Sequence, residues 1–129
     1  MKKWFVYCLL AFGLAACAGD CATHEQNAQA PVFFKHNSVE ILPDSLSQLD
    51  DGIIYMTGHR FKTIELNGYA DESGEEDAYN MELSRRRVET IRDYLIKRGV
   101  AENRIKTGWH GTERGRPWQH HRRVDISVK

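Results

Sequence analysis

AYNMELSRRRVETIRDYLIKRG, residues 78–99, is the longest run in the chain with a clean helical period. An α-helix advances about 100° per residue. At that pitch Tyr79, Leu83, Val88, Ile91, Tyr94 and Leu95 gather into one broad apolar stripe. Glu82, Arg85, Glu89, Arg92 and Asp93 fall on the opposite side. Acidic residues precede the run, Lys97 and Arg98 stand in its last turn, and Gly99 follows. Those are the charges a helix dipole favours and the residue a left-handed cap requires. The spacing predicts a helix over 78–98. One residue breaks the pattern. Arg87 falls near the centre of the apolar stripe, one turn from both Leu83 and Ile91, and Asn80 lies on the same line.

A guanidinium cannot shed its proton to escape burial. Desolvated alone it is strongly unfavourable, so Arg87 needs a carboxylate partner or an anionic ligand. The planar fork suits a carboxylate better than an ammonium does. The expected partner is Asp71, at the end of the preceding strand. Two readings follow. One is a buried structural Arg87–Asp71 bridge. The other is a receptor for a zwitterion at the rim of a shallow site, with the aspartate taking an ammonium and the arginine a carboxylate. An amino-acid head group carries both.

Outward from this helix, the rest of the domain alternates short elements. VFF at 32–34 is a β-prone run. PDSLSQLDDGIIYM opens with proline and an acid, then sets Leu46, Leu49, Ile53 and Met56 at helical spacing, with Gly58 as the stop. FKTIELNGY alternates, with Ile64 and Leu66 on one face, and reads as a strand. DESGEED is an acidic loop in which Glu72, Glu75, Glu76 and Asp77 read as solvated. RIKTGWH and RRVDISV are two further strands. The order is β-α-β-α-β-β: an α+β domain with two helices packed on one face of a four-stranded mixed sheet.

The first residues have another character. MKK precedes the 13-residue apolar run WFVYCLLAFGLAA, shorter than the roughly 20 residues that span a bilayer. This is the pattern of a secretory signal peptide, residues 1–16. LAAC at Leu14–Cys17 resembles the bacterial lipobox, which implies acylation of Cys17, and Ala18 after it resembles an outer-membrane address. An ordinary signal peptide followed by a chance cysteine is the alternative. Cys8 leaves with the signal, and Cys21 is then a spare thiol or an intermolecular disulfide partner. Residues 17–31 are expected to be the lipidated cysteine and a polar tether, and 32–129 the folded domain. Removing Lys2 and Lys3 from the 18 basic residues leaves 16 against 18 acidic ones, a net charge of −2. That balance gives no push toward nucleic acid.

GYADESGEEDAYNMELSRRRVETIRDYLIKRGV, residues 68–100, resembles the core motif of OmpA-like peptidoglycan-binding domains, and ADESG is closest to the peptidoglycan-associated lipoprotein branch. RRVDISV resembles that family's closing strand and VFFKHNSVEILPDS its opening strand and turn. The similarity covers residues 32–129. It implies non-catalytic binding of the diaminopimelate of the wall's peptide stem, whose remote stereocentre is a zwitterion. The family's aspartate matches Asp71, its arginine Arg87, and its two asparagines Asn80 and Asn37, while Arg122 of the closing strand adds a further contact. It also implies a lipid-anchored protein on the periplasmic face of the cell outer membrane, with peptidoglycan and envelope proteins as partners and no cofactor. Three departures stand out: one extra residue between Gly74 and Tyr79, a short connection over 111–121, and His121 where the motif commonly has asparagine.

Other chemistry is less well supported. The acidic loop lacks EF-hand spacing, and His110, His120 and His121 read as solvated loop histidines rather than metal ligands. No acid pair or activated nucleophile is placed for hydrolysis, so the expectation is a protein that is not an enzyme. A different class remains: an interaction module of an envelope or secretion complex, with its groove decayed and the exposed RGRPW tip around Trp118 as its contact surface.

Overall fold

The computed structural model describes residues 29–72, 76–115, 117 and 120–129. The signal segment, Cys17, Cys21, most of the expected tether, Ser73, Gly74, Glu75 and Trp118 lie outside the described residues.

Two helical stripes and three alternating strands bury one common core. The chain runs β1 (Val32–Phe33), α1 (Pro43–Gly58), β2 (Ile64–Tyr69), α2 (Asp77–Lys97), a 3-10 turn at Glu102–Arg104, β3 (Ile105–Trp109) and β4 (Arg123–Val128). The strands form one sheet in the order β1-β4-β2-β3. β4 lies antiparallel to both β1 and β2, while β3 runs parallel to β2. A parallel neighbour cannot be reached by a hairpin, and α2 supplies the crossover. The fold is α+β with two helices and a mixed four-stranded sheet, as the residue order predicts.

Period two governs the sheet. Ile64, Leu66 and Gly68 pair with Val128, Ile126 and Val124, and all six are buried. Leu49, Ile53 and Met56 of α1 and Val88, Ile91 and Leu95 of α2 pack against them in one cluster. Leu46, expected to face inward, is only half buried. Ser45 goes in instead, because its hydroxyl accepts the Phe33 amide at 3.0 Å and ties α1 to β1.

Two glycines set how closely α2 lies on the sheet and where it ends. A Cβ on Gly68 would stand 2.5 Å from Val88 Cγ2 and 2.6 Å from the Ser84 carbonyl oxygen. Helix α2 thus lies directly on the backbone of β2, which brings Arg87 over the strand's end. Gly99 takes φ +101°. Its amide donates to Ile96 O and the Val100 amide to Leu95 O, at 3.1 and 3.0 Å. That is a Schellman cap, with Val100 folded back into the core.

Candidate functional site

Arg87 sits on the apolar stripe as its sequence position predicts, and it is fully buried. Its neighbours explain how a cation tolerates that place. Nε donates to Ser38 O at 3.0 Å, Nη2 to Lys35 O at 3.2 Å and to Glu72 Oε1 at 2.8 Å, and Nη1 to Tyr69 O at 3.4 Å. The guanidinium also lies 5.3 Å from the centre of the Phe34 ring. Three backbone carbonyls and one carboxylate replace the lost water. The arginine therefore clamps the β1–α1 turn and the β2–α2 connection onto the middle of α2.

The partner is Glu72, which corrects the expectation that Asp71 would pair with Arg87. It equally corrects the reading of Glu72 as solvated, since that residue is only 2% exposed. The physical reason is the strand's parity. Ile64, Leu66, Gly68, Ala70 and Glu72 are all buried in alternation, so the period of β2 runs on past its last ladder pair and delivers Glu72 to the helix side. Asp71 falls on the opposite parity. Continuing the β2–β4 register beyond Tyr69 and Arg123 puts Asp71 across from His121, and Asp71 Oδ2 lies 2.8 Å from His121 Nδ1.

Around this pair the other expected residues gather. The Glu72 amide donates to Asn80 Oδ1 at 3.0 Å. Asn37 holds a left-handed backbone, φ 47°, its Oδ1 accepts the Tyr79 hydroxyl, and its backbone amide donates to the Glu72 carboxylate. His36 Nδ1 is 2.5 Å from Glu72 Oε2. Burial pushes the Glu72 carboxyl up, but the Arg87 hydrogen bond, the Asn37 amide and the charges of Arg87 and His36 outweigh it and hold it below the usual glutamate range. Burial lowers the Arg87 pKa against the pull of Glu72, and the nearby Arg122 charge adds to the lowering; the guanidinium still stays protonated. Arg122 is half buried and close enough to be felt.

Arg123, the second of the double arginine, belongs elsewhere. It lies 4.2 Å from the Tyr69 ring on the sheet's other face, bound to Asp125 at 2.8 Å and Glu113 at 2.7 Å. His110 hydrogen-bonds Asn67 and stacks on Tyr69. The short connection after β3 is tied down at Gly111, whose amide donates to Ser84 Oγ at 3.0 Å and whose carbonyl accepts the Ala70 amide at 2.9 Å.

The arrangement is thus one rim at the C-terminal end of β2. Glu72, Arg87, Asn80, Asn37 and His36 are linked there with the Arg122 charge close by, whereas Asp71 pairs with His121, which is buried and not the solvated loop histidine its sequence position suggests. Asp71 is 32% exposed while Arg87 offers no surface, so the acid is open to a ligand and the arginine is reached only if the clamp moves.

Comparison with known proteins agrees with this architecture. The OmpA family model matches residues 33–124. The chain is 34% identical over 100 residues to the peptidoglycan-associated lipoprotein of Rhizobium meliloti (strain 1021), covering 78% of this chain and 56% of that protein. It is 33% identical over 100 residues to the peptidoglycan-associated lipoprotein of Mesorhizobium japonicum, covering 78% and 59%. The chain therefore spans a little over half the length of these relatives. The crystal structure of the peptidoglycan-associated lipoprotein from Burkholderia pseudomallei superposes with a TM-score of 0.68 at 24% identity, over 77% of this chain and 89% of that one, a likeness of fold. With the family model matched over residues 33–124 and relatives 33–34% identical across 78% of the chain, the chain belongs to the OmpA family.

Proposed function

We propose that this protein is a wall-binding lipoprotein of the outer membrane: it grips peptidoglycan non-covalently on the periplasmic side and is held to the membrane through an acylated Cys17. On this reading residues 1–16 are the signal, 17–31 the anchor and tether, and 32–129 the binding domain. Its ligand is the diaminopimelate head group. Asp71 takes the ammonium, giving up His121. Arg122 takes the carboxylate, while the buried Arg87 clamp, with Asn37 and Asn80, holds the rim in shape. The observation that supports the reading is the buried Arg87–Glu72 clamp at the end of β2, with a part-exposed Asp71 next to Glu72 in the chain whose partner is a histidine. Relatives named for peptidoglycan association support it.

Co-sedimentation of the domain with purified sacculi tests it. Asp71→Ala and Arg122→Ala should lose binding, and Arg85→Ala, whose partners are Glu82 and Glu89 on the outer helix face, should not. Equal loss in all three would mean general electrostatics. Sacculi with lysine in place of diaminopimelate keep the amine but lack the remote carboxylate, and should bind weakly. Release of muropeptides into the supernatant would instead indicate an enzyme.

The second reading, an interaction module that leaves the wall alone, is favoured by one feature. The short 111–121 connection is drawn against α2 and β2 at Gly111. Wild-type protein that ignores diaminopimelate-type sacculi would support it.

A further inference from the structure

The pole opposite the Arg87 rim carries a fully exposed aromatic. The chain enters the domain there. Val32 lies opposite Val124 in the antiparallel β1–β4 pair, and the Gln29 amide donates to Ile126 O at 3.0 Å. Gln29 therefore lies beside the C-terminal half of β4, and from it β1 climbs toward His36 and Arg87. At this entry pole the α1–β2 connection, HRFK at 59–62, projects Phe61, which is 104% exposed.

The projection is built and braced. Arg104 donates to the carbonyls of Lys62, Met56 and His59 at 2.9, 2.9 and 2.8 Å. The Lys62 amide closes the turn on His59 O at 3.1 Å. Arg60 and Lys62 flank the ring, and no acidic side chain pairs with either among the described residues. An isolated surface aromatic is common. Here it stands in a turn held by four hydrogen bonds, with a cationic residue on either side of it in the chain.

We propose that the HRFK turn docks on an anionic phospholipid surface, with Phe61 entering the headgroup layer and Arg60 and Lys62 facing the phosphates. The inference rests on the reading that Cys17 is acylated. Eleven residues separate Cys17 from Gln29, a span of at most about 40 Å. The pole where the chain enters is then the pole kept near the bilayer, at a local concentration on the order of millimolar. A contact too weak to form from free solution forms under that constraint. The feature is a tip of one ring and two cations, matched to a field of lipid phosphates and too small for a stable protein interface. Docked this way, the domain points its Arg87 rim away from the membrane.

The test uses the mature chain purified from membranes, with Phe61→Trp as reporter and Trp109→Phe and Trp118→Phe to silence the others. It is reconstituted into vesicles of phosphatidylethanolamine with one quarter phosphatidylglycerol, with and without brominated acyl chains. The expected result is a blue-shifted Phe61→Trp emission that brominated lipid quenches. Both effects should vanish when Arg60→Glu and Lys62→Glu are added, and weaken in 1 M salt, where screening acts within about 3 Å. A water-like, unquenched reporter on protein that floats with the vesicles overturns the docking and leaves the anchor intact. Protein that fails to float and carries no acyl mass on Cys17 overturns both. A shift that rises with protein density at fixed lipid, without bromine quenching, would mean contact between copies and overturns the lipid assignment.

Discussion

Replacing Glu72 with leucine should be among the most damaging single changes in the domain, and its size follows from what Arg87 touches. In the native protein the Arg87 charge is balanced by the Glu72 carboxylate at 2.8 Å, and both side chains are essentially without exposure. Glu72→Leu leaves the guanidinium buried among carbonyls with no counter-charge, which costs about 3–5 kcal/mol. With a urea m-value of about 1–3 kcal/mol/M, the midpoint should fall by about 1 M or more. Arg87→Met is expected to cost a similar amount for a different reason. It strands the carbonyls of Lys35, Ser38 and Tyr69, each worth about 1–3 kcal/mol when buried unpaired. The double variant is the decisive measurement. Once Arg87 is gone the carboxylate is itself a liability, so Glu72→Leu in the Arg87→Met background should cost almost nothing. Urea unfolding of the four proteins gives the cycle. A Glu72→Leu cost below about 1 kcal/mol, or equal costs in both backgrounds, would refute the buried-clamp account.

Acid should act through the same carboxyl. Its pKa is lowered in the folded state, so its contribution is complete above the unfolded value near 4.3 and is lost as pH falls through the folded one. Glu72→Gln should flatten that acid limb in a pH series of urea midpoints, and an unchanged limb would count against the shift. Asp71→Ala removes a 32% exposed partner of His121 and should cost less than about 1 kcal/mol by thermal melting; a much larger loss would mean that Asp71 is chiefly structural. Gly68→Ala forces a methyl against the Ser84 carbonyl and Val88 and should destabilise by about 1–3 kcal/mol, while a neutral result would mean that α2 can lift from β2 freely.

The two helices, the strand order of types and the anomalous cation were all legible in the residues, because amphipathic period is a local property. Leu83, Val88, Ile91 and Leu95 mark a stripe whatever the partner turns out to be, and Arg87 stands on it in any fold that buries that stripe. The Gly99 stop was equally local. Glu72 lay within reach of the same logic. It continues the alternation of Ile64, Leu66, Gly68 and Ala70, but an acid in a run of acids reads as solvated until a buried cation is known to face it.

What only the tertiary structure decided is which charges meet. The Asp71–His121 contact depends on the antiparallel register of β2 and β4, set by pairings such as Tyr69 with Arg123. The Arg87 cage draws on Lys35 and Ser38, about fifty positions away along the chain. Hydrogen bonds and ion pairs are short-ranged and directional, so a residue's type announces that it needs a partner. Only the packing of distant segments says which partner it gets.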